Sequence, residues 1–150
     1  MIRTAAPTER VALEDLQRRA SLMWEEYRPY LIANPDAIEL PQVQLQEGQV
    51  RVLDCDGRIA GFSAMVPRDG WHELDGLFVE PELWGLGIGR ALVVDCLATA
   101  RREGVPAIEV TANPRAEGFY MRLGFVVTGR TETQFGPANR MRISAFPAQS

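Results

Sequence analysis

The chain has 150 residues, of which 46% are hydrophobic and 24% charged, with a formal net charge of −4. These values are typical of one ordinary globular domain, so residues 1–150 are expected to form a single domain. The acidic balance argues against nucleic acid as a partner, and no window is apolar for long enough to predict a membrane span. Because residues 1–10 are charged and lack the apolar segment of a secretory signal, a cytoplasmic location is expected.

The reactive side chains that bind metals or form disulfides are few. There are two cysteines, Cys55 and Cys96, and one histidine, His72. Two cysteines in well-separated contexts predict neither a metal site nor a disulfide framework, which agrees with a reducing compartment. Neither cysteine has an evident base nearby in the sequence, so covalent catalysis through cysteine is disfavoured.

The first part of the chain predicts a strand followed by helices. Residues 2–5 can form a short strand. Apolar side chains recur three and four apart over residues 9–27, as on one face of an amphipathic helix. Pro29 and Pro35 are expected to break this pattern into a second short helical piece, and Pro41 to open an irregular stretch.

Three antiparallel strands are predicted next. An Asp-Gly pair at residues 56–57 separates two strand-like segments, residues 49–54 and 58–66, which is a strong hairpin signal because both turn positions need positive φ. A second Asp-Gly pair at residues 69–70 precedes a third strand at residues 71–79.

The pattern then changes to a helix, a strand and a helix, followed by two strands. The predicted segments are residues 87–103, 107–111, 114–123, 125–135 and 139–146. The order β-α-α-β-β-β-α-β-α-β-β predicts a mixed α/β sheet with helices on both faces.

A glycine-rich segment lies between the third of these antiparallel strands and the long helix. Gly85, Gly87 and Gly89 allow backbone N–H groups to gather around an anion at a helix N-terminus, and Arg90 adds positive charge. This pattern indicates a phosphate or pyrophosphate site, although a plain tight loop is the alternative. A Walker A loop is excluded because the chain has no lysine, and a dinucleotide fingerprint would need glycine at position 90.

Two motifs resemble those of the GNAT superfamily of N-acetyltransferases. The segment Trp-Gly-Leu-Gly-Ile-Gly-Arg-Ala-Leu at residues 84–92 resembles its acetyl-CoA signature, Gln/Arg-x-x-Gly-x-Gly/Ala, although Trp84 replaces the usual polar first residue. Residues 113–125 resemble its second motif, Asn-x-x-Ala-x-x-Phe-Tyr-x-x-x-Gly-Phe, in the right order and at the right separation. The resemblance implies a mostly antiparallel sheet of about seven strands. It also implies direct transfer of acetyl from acetyl-CoA, in a ternary complex, to an amine of a small molecule or peptide.

The resemblance also implies where the cofactor binds. Strand 74–79 is expected to diverge from its parallel neighbour 107–111 at a bulge near Gly76, so that pantetheine pairs with residues 77–79. The implied cofactor-binding residues are Leu77, Phe78, Val79, Trp84, Gly85, Leu86, Gly87, Ile88, Gly89, Arg90, Asn113, Ala116, Phe119 and Tyr120.

Tyr120 and Glu73 are the implied catalytic residues. Tyr120 matches the family tyrosine that can protonate the leaving thiolate, although it also suits a helix core. Glu73 occupies the position of a glutamate base in some members and shares a strand face with Asp75; a solvated polar face or a water chain are the alternatives. His72 is expected to point the other way, to the surface. Asn113 is expected to contact pantetheine or to cap a helix.

The acceptor side is implied by the same resemblance. Its predicted residues are Trp24, Tyr27, Asp75 and Phe135, of which Trp24 and Tyr27 equally suit the core stripe of the first helix. A homodimer through the C-terminal strands is a further prediction. The competing function is a non-catalytic acyl-CoA-binding module, which would not need Glu73 and Tyr120.

Overall fold

The structure, a computed structural model, describes residues 1–146. Its strands are β1 (Ile2–Thr4), β2 (Val50–Cys55), β3 (Arg58–Pro67), β4 (His72–Val79), β5 (Ala107–Ala112), β6 (Val126–Thr133) and β7 (Gly136–Ser144). Its helices are α1 (Arg10–Leu22), α2 (Arg28–Ala33), α3 (Gln42–Gln46), α4 (Ile88–Arg102) and α5 (Glu117–Arg122), with 3-10 turns at Pro7–Glu9 and Pro81–Leu83. The strands form a seven-stranded sheet in the order β1-β2-β3-β4-β5-β7-β6.

The sheet is mixed and mostly antiparallel, as predicted. The pairs β1–β2, β2–β3, β5–β7 and β6–β7 are antiparallel, and β4–β5 is parallel. The predicted order of elements is confirmed, with one addition. Helix α3 occupies the stretch after Pro41 that was expected to be irregular, because proline is tolerated at a helix start and Leu45 anchors the helix in the core. The second short helical piece predicted around Pro29 is confirmed as α2, with Pro29 in its first turn.

The chain divides into two compact units. The first comprises Met1–Ala64 with Gly76–Val93, and the second comprises Met65–Asp75 with the residues from Val94 onward. The core of the first unit contains Ala5, Leu13, Leu16, Leu40, Leu45, Val50, Val52, Phe62 and Ala64, with Ile59 and Phe78 packed against them. The predicted apolar face of α1 is therefore confirmed at Leu13 and Leu16. The predicted pattern ran to residue 27, but α1 ends at Leu22, and Met23, which was part of that pattern, is exposed beyond its end.

The hairpin of the first unit has the predicted turn. Asp56 and Gly57 have φ of 52° and 88°, and β2 and β3 pair on either side of them. Beyond β4, the N–H of Glu80 donates to the carbonyl of Ala60 on β3 at 2.9 Å. The end of β4 is thereby fixed to β3, four residues before the glycine-rich segment begins.

The second unit contains the parallel ladder and the last two strands. His72 and Glu73 of β4 pair with Ile108 and Glu109 of β5, and β5 pairs with β7 along its whole length. Strand β6 is at the edge of the sheet. Among residues 1–146, no helix is long and apolar enough to cross a membrane.

Candidate functional site

The glycine-rich segment, residues 84–89, has the backbone geometry that its glycines predict. Gly85 and Gly87 have φ of 85° and 84°, a conformation that favours glycine over any residue with a side chain. The first hydrogen bond of α4 runs from the N–H of Ala91 to the carbonyl of Gly87 at 3.0 Å. The N–H groups of residues 88–90 therefore precede the helical hydrogen-bond ladder.

This geometry fits an anion. The N-terminus of α4 carries partial positive charge, and its leading N–H groups can bind phosphate oxygens. The guanidinium of Arg90 is exposed in the first turn of α4 and adds a full positive charge. The residues present therefore fit the pyrophosphate of a nucleotide cofactor.

Trp84 is fixed by two contacts in the first unit. Its indole N–H donates to the carbonyl of Val79 at 2.8 Å. Its ring stacks on that of Trp24, with centroids 5.5 Å apart and an interplanar angle of 29°. The sequence placed Trp24 on the acceptor side and Trp84 on the cofactor side, and the structure brings them together.

The end of β4 is packed rather than open. The ring of Phe78 lies 5.4 Å from that of Phe62. A side chain on Gly76 would come within 2.9 Å of the Phe78 ring, so this position needs glycine for space. The bulge expected at Gly76 and the contacts of residues 77–79 with pantetheine stay predictions.

Glu73 forms an ion pair with Arg140 on β7. Its carboxylate accepts two hydrogen bonds from the Arg140 guanidinium, at 2.6 and 2.8 Å, and the Glu73 side chain is only 14% exposed. Arg140 also donates to Glu109 and Thr111, each at 2.8 Å. These carboxylates raise the pKa of the Arg140 guanidinium, chiefly through the hydrogen bonds to Glu73. Glu73 is thus part of a network of charged side chains. It does not lie on a solvated polar face, which was one of the two alternatives to a role as the base.

His72 lies on the strand face opposite Glu73, as predicted, but it is buried, so the predicted surface position is wrong. Its side chain lies on the same buried strand face as Leu74. The imidazole Nε2–H donates to the Glu103 carboxylate, with the two heavy atoms 2.5 Å apart. This hydrogen bond to Glu103, the residue that follows α4, allows a polar ring to be buried there.

The second motif forms α5 and the turn before it. Tyr120 is buried, and its ring makes edge-to-face contacts with those of Phe119 at 5.1 Å and Phe125 at 5.2 Å. Burial raises the pKa of Tyr120, so its phenol is protonated at neutral pH. The Asn113 side-chain carbonyl accepts a hydrogen bond from the N–H of Ala116 at 3.0 Å and so closes the turn before α5. The N-cap of α5 is Ala116, so the alternative that Asn113 caps the helix is wrong.

The remaining predicted acceptor residues belong to different compact units. Tyr27 is partly buried just before α2, in the first unit. In the second unit, Asp75 is exposed on β4, and Phe135 is 38% exposed in the turn between β6 and β7.

Comparison with known proteins identifies the family. The sequence profile of the acetyltransferase (GNAT) family matches residues 12–125. The chain belongs to the acetyltransferase (GNAT) family. This GNAT chain also resembles the structure of the PaiA N-acetyltransferase from Thermoplasma acidophilum in complex with coenzyme A, with a TM-score of 0.78 and 19% identity. That match covers 96% of this chain and 98% of the other.

Two curated relatives are similar to parts of this GNAT chain. The peptidyl-lysine N-acetyltransferase YjaB of Salmonella typhimurium strain LT2 is 42% identical over 83 residues, which are 55% of this chain and 52% of that protein. The mycothiol acetyltransferase of Paenarthrobacter aurescens strain TC1 is 31% identical over 103 residues, 63% of this chain and 32% of that protein. The chain spans about half or less of the length of these relatives.

Sequence reasoning missed two ionic contacts in this GNAT chain, one in each compact unit. Arg140 is 67 residues from Glu73, and Arg19 on α1 is 61 residues from its partner Glu80. Pairs so distant in sequence leave no periodic or local signal. Only a prediction of strand order and register would have placed Arg140 beside Glu73.

Proposed function

We propose that this chain transfers an acetyl group from acetyl-CoA to an amine of a small molecule or peptide. The observation that carries the proposal is the glycine-rich segment, in which Gly85 and Gly87 adopt positive φ directly before the N-terminus of α4. The family of the chain supports the acetyl donor. The names of the two curated relatives, one a peptidyl-lysine enzyme and the other a mycothiol enzyme, support acceptors of either size.

The donor site is proposed at the end of β4 and the start of α4. Acetyl-CoA supplies an activated thioester on a pantetheine arm and an anionic pyrophosphate. The N–H groups of residues 88–90 and the Arg90 guanidinium bind the pyrophosphate. Backbone groups of residues 77–79 pair with pantetheine. The length of β4 supports this assignment: its ladder with β5 pairs His72 and Glu73, and the strand then continues to Val79.

Two side chains are proposed to move protons. Tyr120 has a protonated phenol that can donate to the thiolate as it leaves. Glu73 is the proposed base, taking a proton from the acceptor amine directly or through water. Its ion pair with Arg140 fixes the direction of its oxygens. Asp75, exposed on the same strand, is proposed to attract the cationic amine.

A thiol-release assay tests this function. Purified protein is incubated with acetyl-CoA and either a lysine-containing peptide or a small primary amine, and free thiol is measured. We expect release that depends on the acceptor and falls strongly in Glu73→Gln. Glu82→Gln, which changes an exposed carboxylate in the 3-10 turn after β4, is the matched control and is expected to be as active as the wild type.

The same assay distinguishes the proposed acetyltransferase from the competing function. A non-catalytic acyl-CoA-binding module would bind acetyl-CoA and release no thiol with any amine. Unchanged release by Glu73→Gln would remove Glu73 as the base and leave the enzyme class intact.

A second copy of the chain is the proposed protein partner. Strand β6 lies at the sheet edge, and Val126 and Val127 are exposed on it. An edge strand offers unpaired backbone groups to another strand. Sedimentation velocity would show a dimer if this is correct and a monomer if it is wrong.

A further inference from the structure

Between Trp84 and α4, the glycine-rich segment has little packing of its own. The side chain of Leu86 is 69% exposed, and a side chain added at Gly85 or Gly87 would meet no atom within 4 Å. Its conformation therefore depends on the residues at its two ends. At its C-terminal end the segment is held by α4. At its N-terminal end it is held by Glu80 and Trp84, whose side chains make fixed contacts.

Glu80 is held by the last turn of α1. Its carboxylate accepts hydrogen bonds from Nε and Nη2 of Arg19, at 2.6 and 2.9 Å, and the residue is 7% exposed. Such two-point, charge-assisted contacts fix orientation as well as distance. The hydrogen bond to Arg19 lowers the pKa of Glu80, so the pair is charged at neutral pH.

Trp84 is held by the residues that directly follow α1. Its ring stacks on Trp24, which lies two positions beyond the end of α1 at Leu22. Offset stacking of this kind contributes beyond the area it buries. Its indole N–H is bonded to Val79 at the same time, so the ring cannot turn without losing one of the two contacts.

Both contacts come from one end of one helix. We infer that the C-terminal end of α1 positions the glycine-rich segment for the pyrophosphate of acetyl-CoA, through the pairs Arg19–Glu80 and Trp24–Trp84, here called the α1 clamp. This inference rests on the proposed function. Arg19 and Trp24 act through Glu80 and Trp84, so both are positioning residues. Since Tyr27 follows Trp24 in the same turn, the clamp also links the donor site to a predicted acceptor residue.

The test compares two clamp variants with a matched control. Arg19→Gln removes the ion pair, and Trp24→Leu removes the stack. Arg58→Gln is the control, because Arg58 pairs with exposed Glu82 in the same 3-10 turn and exposed pairs contribute little. Acetyl-CoA is titrated calorimetrically into each protein, and amide hydrogen exchange is measured over residues 80–91.

We expect each clamp variant to bind acetyl-CoA roughly threefold to tenfold more weakly, the effect of one lost interaction. Amide exchange over residues 80–91 will be faster, and the KM for acetyl-CoA will rise while kcat at saturation is unchanged. Arg58→Gln will behave as the wild type in all three measurements.

Two results would overturn the inference in distinguishable ways. Wild-type affinity and wild-type exchange in both clamp variants would show that α1 does not position the segment, while the proposed function stands. No binding of acetyl-CoA by the wild-type protein would remove the proposed function and the clamp with it. If Arg19→Gln does not fold because Glu80 is left buried and unpaired, the double variant Arg19→Gln with Glu80→Gln replaces it and has the same expected results.

Discussion

At the scale of single residues, Tyr120 combines burial with a polar group. The ring packs against Phe119 and Phe125, and burial keeps its hydroxyl protonated at neutral pH. A buried phenol next to a reacting sulfur can donate its proton as negative charge develops. The aromatic core position and the proposed acid are therefore compatible in one side chain.

Tyr120→Phe tests the acid directly, since it removes the hydroxyl and keeps the ring. We predict that kcat falls roughly 100-fold or more while the Kd for acetyl-CoA changes little. Steady-state thiol release and calorimetry measure the two quantities. Tyr30→Phe, the same change at an exposed tyrosine, is the control and should leave both unchanged. A kcat equal to that of the wild type would exclude Tyr120 as the acid.

The sequence predicted the conformation of residues whose role depends on their neighbours in the chain. It did not predict the contacts of residues whose partners are distant in sequence. The positive φ at Gly87 follows from a short loop before a helix. The Glu73–Arg140 pair and the burial of His72 depend on which strand or helix end lies opposite, which no local pattern records. Trp84 departs from the family pattern, and its stack on Trp24 needed the structure to be seen.

At the scale of elements, ion pairs join the start of the chain to the first hairpin. Arg3 on β1 donates to both carboxylate oxygens of Glu9, at 2.9 and 2.8 Å, and also to Asp54 on β2. The Glu9 carboxylate further accepts the N–H of Ala6 at 2.8 Å. Glu9 thereby links β1 to the turn that begins α1.

These contacts make the stability of the chain depend on pH. The hydrogen bond from Arg3 lowers the folded-state pKa of Glu9, so protonation is disfavoured in the native state. The stabilising contribution of the Glu9 carboxylate is complete above the ordinary glutamate pKa of about 4.3. It is lost as the pH falls through the lowered pKa of the folded state. We predict that Glu9→Gln has a lower free energy of unfolding than the wild type at pH 7. The difference between the two free energies becomes smaller as the pH falls through that range. Urea denaturation at several pH values measures this; a constant difference at all pH values would contradict it.

Element types were predicted well because they depend on local patterns. The spacing of Leu13 and Leu16 indicated α1, and the Asp-Gly pair at residues 56–57 indicated the β2–β3 hairpin. Helix α3 was missed because its five residues are too few to show a helical period. An irregular stretch was predicted after Pro41, where the position of the proline at the start of a helix made it compatible with one.

At the scale of the whole molecule, strand order was the least accessible property. Strand β7 lies between β5 and β6, and this order depends on pairings between segments distant in sequence. The family resemblance supplied the sheet class in place of such information. That residues 1–150 form one domain stays a prediction. It is supported by β3, β4 and α4, since each contributes residues to both compact units and a domain boundary normally falls in a linker.

The central claim is that the glycine-rich segment binds acetyl-CoA, and its most direct test is a calorimetric titration of the wild type and two glycine variants. Gly87→Val and Gly57→Val place the same side chain at positions with φ of 84° and 88°, where an added Cβ meets no atom within 4 Å. Both variants therefore carry similar backbone strain of roughly 1–2 kcal/mol, and only the first alters the segment. We predict saturable one-site binding of acetyl-CoA, with none of NAD, by the wild type and Gly57→Val, and no acetyl-CoA binding by folded Gly87→Val. Wild-type affinity in Gly87→Val, or no binding by the wild type, would contradict the account.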